Sequence, residues 1–399
     1  MSDGTIGRRE LFKRAAASGG ALGLVYALGG QQLAEAAPAE KVPTRKLGTT
    51  GEDIPILFMG GSQKFDPVYD RMLHRAYQEG VFYIDTAQAY ANGQSHVTLA
   101  PFIEQVGREN LWITSKVDLQ GAAATPATYR RHMDSELPVR GTDYLDMFFF
   151  HLLRKPDCLG PEFIKLGDDL RKEGKTKFFG FSCHDGNVVE MLNKAASIGA
   201  PGIDAIMFRY NFTMYGDLEL NKAMDACKAA GIGLLGMKTQ SSVPQDQEEV
   251  KKFVSNNFTL HQARLKAAWA DERIDGCVSG MTNIDIMKEN VEAAKSTVQL
   301  SMNEFMQLNQ YAARTASYRC QGCTHLCEAK VDGETRVGDM LRYLMYAECY
   351  GDVDEARQLY ARLSPAERAV THDFREAAKV CPQGIDIQRR LQDAVRVLA

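Results

Sequence analysis

From Lys46 onward the chain repeats one pattern eight times: a short apolar run, then a stretch with apolar residues every three to four positions. The runs are Ile54–Met59, Phe82–Ile84, Leu111–Thr114, Leu145–Phe150, Phe178–Phe181, Ile203–Phe208, Ile232–Leu235 and Gly276–Val278. Strands separated by helix-length segments can pair only in parallel, through right-handed crossovers. Eight such units in roughly 250 residues fit a (β/α)8 TIM barrel. An open doubly wound sheet would carry a Gly-x-Gly-x-x-Gly turn after its first strand, and only Gly60-Gly61 stands there. The predicted fold class is therefore α/β, a (β/α)8 barrel over residues 43–300, followed by a helical C-terminal domain over residues 301–399.

A barrel of this kind concentrates chemistry at the C-terminal ends of its strands. Asp85 ends the second run, Tyr90 lies in the loop behind it, Lys116 follows the third, and His151 follows Phe148-Phe149-Phe150. These four residue types suffice for proton transfer to a carbonyl. A tyrosine hydroxyl is a poor acid at neutral pH, but a neighbouring ammonium favours its phenolate, and a carboxylate holds that ammonium charged and in place. Any one of the four alone reads equally well as a structural residue. Lys238, at the end of the seventh run, reads either as an active-site cation or as half of a salt bridge.

At these positions the chain resembles the aldo-keto reductases. Ile84-Asp85-Thr86-Ala87-x-x-Tyr90, Thr114-Ser115-Lys116, Phe150-His151-Leu152, the opening Arg45-Lys46-Leu47-Gly48 and the Gly280-Met281-Thr282-Asn283 to Glu289-Asn290 segment carry the resemblance, from about Arg45 to about Ala294. It implies that Tyr90 is the general acid/base for a carbonyl or alcohol substrate, that Lys116 and Asp85 tune it, and that His151 helps to bind the carbonyl. It also implies a nicotinamide, NADP or NAD, held by Ser182, Met237, Lys238, Gly280, Thr282, Asn283 and Asn290. The match thins around that cofactor. Cys183 stands where the family has asparagine, Met207 where it has glutamine, Met237 where it has a stacking aromatic, and Ile286 where an arginine would clasp a 2′-phosphate. His96 replaces a glutamate.

Behind the barrel, Cys320, Cys323 and Cys327 fall within eight residues, and Cys381 is followed by Pro382. Closely spaced soft thiolates completed by Cys-Pro are the ferredoxin-type pattern of one [4Fe–4S] cluster. Structural zinc accepts the same ligands, and disulfides are the third reading. A c-type haem would need Cys-x-x-Cys-His, whereas Thr324 separates Cys323 from His325. A branch of the aldo-keto reductases carries such an iron–sulfur extension, and Tyr343-Leu344-Met345-Tyr346 with the Cys381-Pro382 ending resembles it.

The first forty residues read as an address. Arg8-Arg9 precedes a weakly apolar, glycine-interrupted stretch, and Ala34-Glu35-Ala36 is a small-x-small cleavage candidate. The pair resembles a twin-arginine export signal over residues 1–36, implying the export machinery as a partner and a periplasmic or exported location. An amphipathic first helix is the alternative. No run of 18 apolar residues exists, so no membrane span is expected after cleavage. Forty-seven Lys and Arg against 51 Asp and Glu give no footprint for nucleic acid. Two functional readings stay open: an exported oxidoreductase of aldo-keto reductase type, or an electron-transfer accessory protein that docks a redox partner and whose barrel has lost turnover.

Overall fold

The computed structural model describes residues 39–117, 125–136, 142–153, 155–184, 187–240 and 248–399. The candidate export signal lies outside them. A hairpin of β1 (Thr44–Lys46) and β2 (Asp53–Pro55) precedes eight strands: β3 (Leu57–Gly60), β4 (Tyr83–Asp85), β5 (Trp112–Val117), β6 (Leu145–Phe150), β7 (Thr176–Cys183), β8 (Ala205–Arg209), β9 (Gly233–Met237) and β10 (Gly276–Ser279). These eight close into a barrel in which every neighbouring pair is parallel, with β10 pairing back onto β3 through Cys277 opposite Leu57. The predicted barrel is the observed one.

Alternation along each strand divides the side chains between two cores. Phe149, with Phe58, Tyr83, Trp112, Met147, Met207, Leu235 and Met237, fills the cylinder. Phe148 and Phe150 point outward into a larger core beneath the surrounding helices. Strands buried on both faces read as unbroken apolar runs, which is why Phe148-Phe149-Phe150 stood out in the sequence. Against the expectation of one strand over Ile54–Met59, the run splits. Proline has no N–H to give a ladder, so Pro55 ends the hairpin and the barrel strand starts at Leu57.

The hairpin seals the base of the barrel. Arg45 donates to the carbonyls of Trp269 (2.8 Å) and Ile274 (2.6 Å), just ahead of β10. Leu47 is wholly buried beneath the inner core.

The Met302–Arg314 helix packs on the barrel flank, its Leu308 and Tyr311 joining Phe212, Phe258 and Ala263. Beyond it a separate core forms from Val337, Met340, Leu344, Tyr360, Phe374, Ile387, Leu391 and their neighbours. The helices that build it are Val337–Tyr350, Val353–Ala361, Arg375–Lys379 and Ile387–Leu398. Three of them lie between Cys327 and Cys381. Among the described residues no helix is long and apolar enough to cross a membrane.

Candidate active site at the barrel mouth

Asp85 is the last residue of β4 and Lys116 lies near the end of β5, so two adjacent parallel strands deliver an acid and a base side by side. The Lys116 ammonium sits 2.7 Å from each Asp85 carboxylate oxygen, within hydrogen-bond geometry only for Oδ2. It also donates to the Thr86 carbonyl (2.9 Å) and to the Tyr90 hydroxyl (3.3 Å). Both charged groups are almost wholly buried, at 1% and 2% exposure. Burial pushes the Lys116 ammonium down and the Asp85 carboxyl up, and each partner opposes the shift of the other. The pair holds together because a buried charge without its counter-ion would be far costlier.

Tyr90 reaches this ion pair from a loop with an unusual backbone. Its N–H closes a turn on the Ala87 carbonyl (3.1 Å), and Gln88 N–H bonds to the Lys116 carbonyl (3.1 Å). Ala91 (φ 50°) and Asn92 (φ 55°) are both left-handed, ahead of Gly93 (φ 78°). A left-handed conformation costs a non-glycine residue about 1–2 kcal/mol. Among the described residues the other left-handed non-glycine positions are Leu152 and Lys238, after β6 and β9, so this strain gathers at the mouth.

His151 follows β6 and meets the Tyr90 ring edge-on, with centroids 5.9 Å apart. Its Nδ1 is buried with no hydrogen-bond partner among the described residues. Burial first, then the Lys116 and His184 charges, holds this imidazole well below the usual histidine range, so it is neutral. A neutral imidazole with an idle nitrogen beside a phenol hydroxyl can receive or orient one substrate oxygen. His96 lies behind Lys116, 2.9 Å from the Ser115 hydroxyl, and burial followed by the Lys116 charge lowers it to about 4. The four residues read from the sequence therefore share one site, and a second neutral histidine backs them.

The predicted cofactor residues divide into two groups. Gly280, Thr282 and Asn283 lie exposed at the start of the Ile284–Lys295 helix, where backbone N–H groups face outward. The Asn283 side chain is already engaged, accepting from the N–H groups of Asp285 and Ile286 (3.0 Å each). Asn290 is wholly buried, donating to Ser279 (3.0 Å) and accepting from Gln240 (3.2 Å). At the ring end, the Ser182 hydroxyl accepts the Leu152 N–H (3.0 Å), and Met237 packs at the edge of the inner core. Lys238 points into the C-terminal domain, its ammonium 4.5 Å from the Tyr346 ring and 5.2 Å from the Tyr350 ring. Read from the sequence as either an active-site cation or half of a salt bridge, Lys238 is engaged in a cation–π stack.

The Val337–Tyr350 helix supplies that cover. Besides Tyr346 and Tyr350, its Arg342 meets His184, which follows β7, with Nη1 3.2 Å from Nδ1. His184 and Arg209, at the ends of β7 and β8, went unremarked in the sequence although the strand-end rule points to both.

Cys320, Cys323, Cys327 and Cys381 line one cavity with an empty volume of about 330 Å³. Gly322 (φ 73°) turns its N–H toward Cys320 Sγ (3.4 Å), a bend that a side chain would disfavour. Among the described residues no three His, Cys, Asp or Glu side chains are grouped closely enough to hold a metal ion. None of the nine cysteines is paired in a disulfide. Burial first, then neighbouring thiols and Glu328, pushes Cys327 up to about 12.

A closed parallel barrel with titratable residues gathered at its mouth defines a (β/α)8 enzyme fold. The Aldo/keto reductase family model matches residues 59–243, from β3 to just beyond β9, and the barrel reads as an oxidoreductase of aldo/keto reductase type. L-Galactose dehydrogenase from Arabidopsis thaliana is 22% identical over 295 residues, covering 66% of this chain and 92% of that protein. An aldo-keto reductase from Gibberella moniliformis is 30% identical over 178 residues, 43% of this chain and 51% of its own length. Among solved structures, aldo-keto reductase AKR11C1 from Bacillus halodurans superposes with a TM-score of 0.56 at 21% identity, over 68% of this chain and 96% of its own. An aldo-keto reductase from Klebsiella pneumoniae, solved in complex with NADPH, gives 0.52 at 20% identity over 67% and 94%. These structural likenesses bear on the fold.

Proposed function

We propose that the barrel interconverts a carbonyl and its alcohol with Tyr90 as the general acid/base. The observation that carries this reading is the Lys116 ammonium, buried between Asp85 at 2.7 Å and the Tyr90 hydroxyl at 3.3 Å. Positive charge fixed beside the phenol stabilises negative charge on its oxygen as the proton leaves, and Asp85 keeps that ammonium protonated. His151 orients the substrate oxygen from the opposite side through its neutral ring. Tyr90→Phe removes the transferable proton and keeps the ring. It should lower turnover of aldehydes or alcohols about 100-fold or more, with little change in stability. Unchanged turnover in Tyr90→Phe would refute the assignment.

The hydride for this step would come from NADP or NAD, the carrier implied by the resemblance, with Ser182, Met237, Gly280, Thr282, Asn283 and Asn290 the residues that would hold it. Turnover should be measured with an artificial electron acceptor as well as with NADPH. The covered ends of β7 to β9 favour the second reading, an accessory protein whose barrel no longer turns over. That reading requires no activity with either partner in protein that retains its metal.

In the C-terminal domain we assign one [4Fe–4S] cluster to Cys320, Cys323, Cys327 and Cys381. Four thiols around one cavity are the right donors for such a cluster. Bound there, the cluster would supply one-electron transfer and tie the Cys320 loop to the Cys381 turn. Iron and sulfide analysis of anaerobically purified protein distinguishes it from zinc. The Arg8-Arg9 signal supports export by the twin-arginine machinery to the periplasm, where a redox partner protein would meet the cluster domain. Cell fractionation, with and without an Arg8→Lys/Arg9→Lys change, tests that location.

A further inference from the structure

Inside the cylinder Tyr83 stacks on Phe58, with ring centroids 4.1 Å apart, and is wholly buried. Phenylalanine would fill the same space, and a hydroxyl withdrawn from water is unfavourable unless its hydrogen-bonding capacity is met. The Thr114 hydroxyl donates to Tyr83 Oη (2.8 Å) and accepts from Trp112 Nε1 (3.3 Å). That chain engages the oxygen of Tyr83 but not its proton, which meets no acceptor among the described residues.

Strand register shows where that proton can go. Trp112 lies opposite Tyr83 and Thr114 opposite Asp85, so a phenol that reaches the Thr114 hydroxyl has leaned toward the barrel mouth, to the level of Asp85. Tyr83 and Asp85 are two residues apart on β4, so they share its inner face about 7 Å apart along the backbone. Asp85 has the complementary gap: its Oδ1 lies 2.7 Å from the Lys116 ammonium but outside hydrogen-bond geometry, and no donor is directed at it. A buried donor short of an acceptor and a buried acceptor short of a donor thus meet at one level of the inner wall. The two groups act on each other already. Burial first, then the Asp85 charge, holds the Tyr83 phenol well above the usual tyrosine range, against the bonds from Thr114 and Trp112, so Tyr83 keeps its proton to donate.

We infer that the Tyr83 hydroxyl donates to Asp85 Oδ1, directly or across one water, and so acts as a positioning residue for the Lys116 ammonium. Bonded from below on Oδ1, the Asp85 carboxylate needs less from Lys116, and the ammonium is left to share its charge with the Tyr90 hydroxyl at 3.3 Å. Without that bond Lys116 turns more fully to Asp85, and negative charge on Tyr90 loses support. A polar column then runs from Trp112 through Thr114, Tyr83, Asp85 and Lys116 to Tyr90, from the inner core to the mouth. Tyr83 reaches no substrate in this arrangement; it acts through Asp85. The other ionisable groups around the column are His96 and His151, both held neutral, and Asp146, which is ion-paired with Arg108 and Lys177. The inference rests on the reading that Lys116 tunes Tyr90, and not on turnover at Tyr90.

The test is an alkaline pH titration of the intact, metal-containing protein, isotopically labelled at tyrosine Cζ and followed by nuclear magnetic resonance. Among the 15 tyrosine signals, that of Tyr90 is identified by its loss in Tyr90→Phe. Tyr83→Phe keeps the ring on Phe58 and removes only the hydroxyl. In it the Tyr90 midpoint should rise by about half a pH unit or more, a roughly threefold weakening of ionisation. A hydroxyl that served packing alone would alter stability and leave this midpoint in place, and that result overturns the inference. Should Tyr83→Phe fail to fold, a crystal structure of the unaltered protein decides. Tyr83 Oη is expected within about 3.2 Å of Asp85 Oδ1, or one ordered water within that distance of both, and any other arrangement overturns the inference. A midpoint shift together with full turnover in Tyr90→Phe would sink the catalytic reading and spare this one. An inactive Tyr90→Phe with no midpoint shift in Tyr83→Phe would do the reverse.

Discussion

The buried Asp85–Lys116 pair can be tested without knowing the substrate. At 2.7 Å, with an effective dielectric constant of about 20, the mutual attraction is about 6 kcal/mol. Removing one partner strands the other in a nearly dry strand end. Asp85→Asn and Lys116→Met should therefore each cost the barrel about 3–5 kcal/mol. In the double variant no charge remains, and the loss should shrink to about 1–3 kcal/mol, the cost of a poorly bonded buried amide. The resulting coupling is at least about 3 kcal/mol. Urea unfolding followed by tryptophan fluorescence is the suitable assay, because the chain has two tryptophans, Trp112 and Trp269, and both lie in the barrel. The signal then reports the barrel even if the C-terminal domain unfolds separately. Losses that simply add, within about 0.5 kcal/mol, would mean that the two groups do not depend on each other, and the account of Tyr90 would lose its basis.

His96 should make the barrel acid-sensitive. Its folded value of about 4 lies below the 6.5 of a free imidazole, so the unfolded chain binds the extra proton first and stability falls as pH drops from about 6.5 to 4. The full loss is about 3 kcal/mol, and His96→Gln should flatten that part of a stability–pH profile. Gly167→Ala should destabilise by about 1–3 kcal/mol despite alanine's better helix propensity, because the new Cβ would lie 2.2 Å from the buried Phe179 ring; adding Phe179→Leu should recover part of the loss in the same urea assay. Cys381→Ser should abolish visible absorbance and lower bound iron while leaving the fluorescence transition of the barrel in place. Iron retained at the parental level would contradict the cluster assignment.

How much was legible in the sequence followed the range of the interactions involved. The eight strands are local patterns, and Asp85, Lys116 and His151 follow from strand ends, so both could be read directly. Tyr90 could be named, but not the left-handed Ala91 and Asn92 that aim it, because alanine carries no signal for that conformation. Met207 and Met237 could be assigned to strand ends, but not their packing with Phe149 and Leu235 inside the cylinder. The roof over β7 to β9 was hidden for a different reason. Arg342 and His184 are 158 positions apart, and nothing in either neighbourhood encodes their meeting.

The pairing of β3 with β10 has a bearing on how the polypeptide matures. Cys277 reaches Leu57, and Arg45 grips a carbonyl 229 positions downstream, so the cylinder cannot shut until most of the protein has left the ribosome. Seven strands must wait with two raw edges, the condition in which nascent sheets recruit one another. Shortened chains ending ahead of Gly276 should accumulate as aggregates, whereas chains ending after the Met302–Arg314 helix should yield a soluble cylinder.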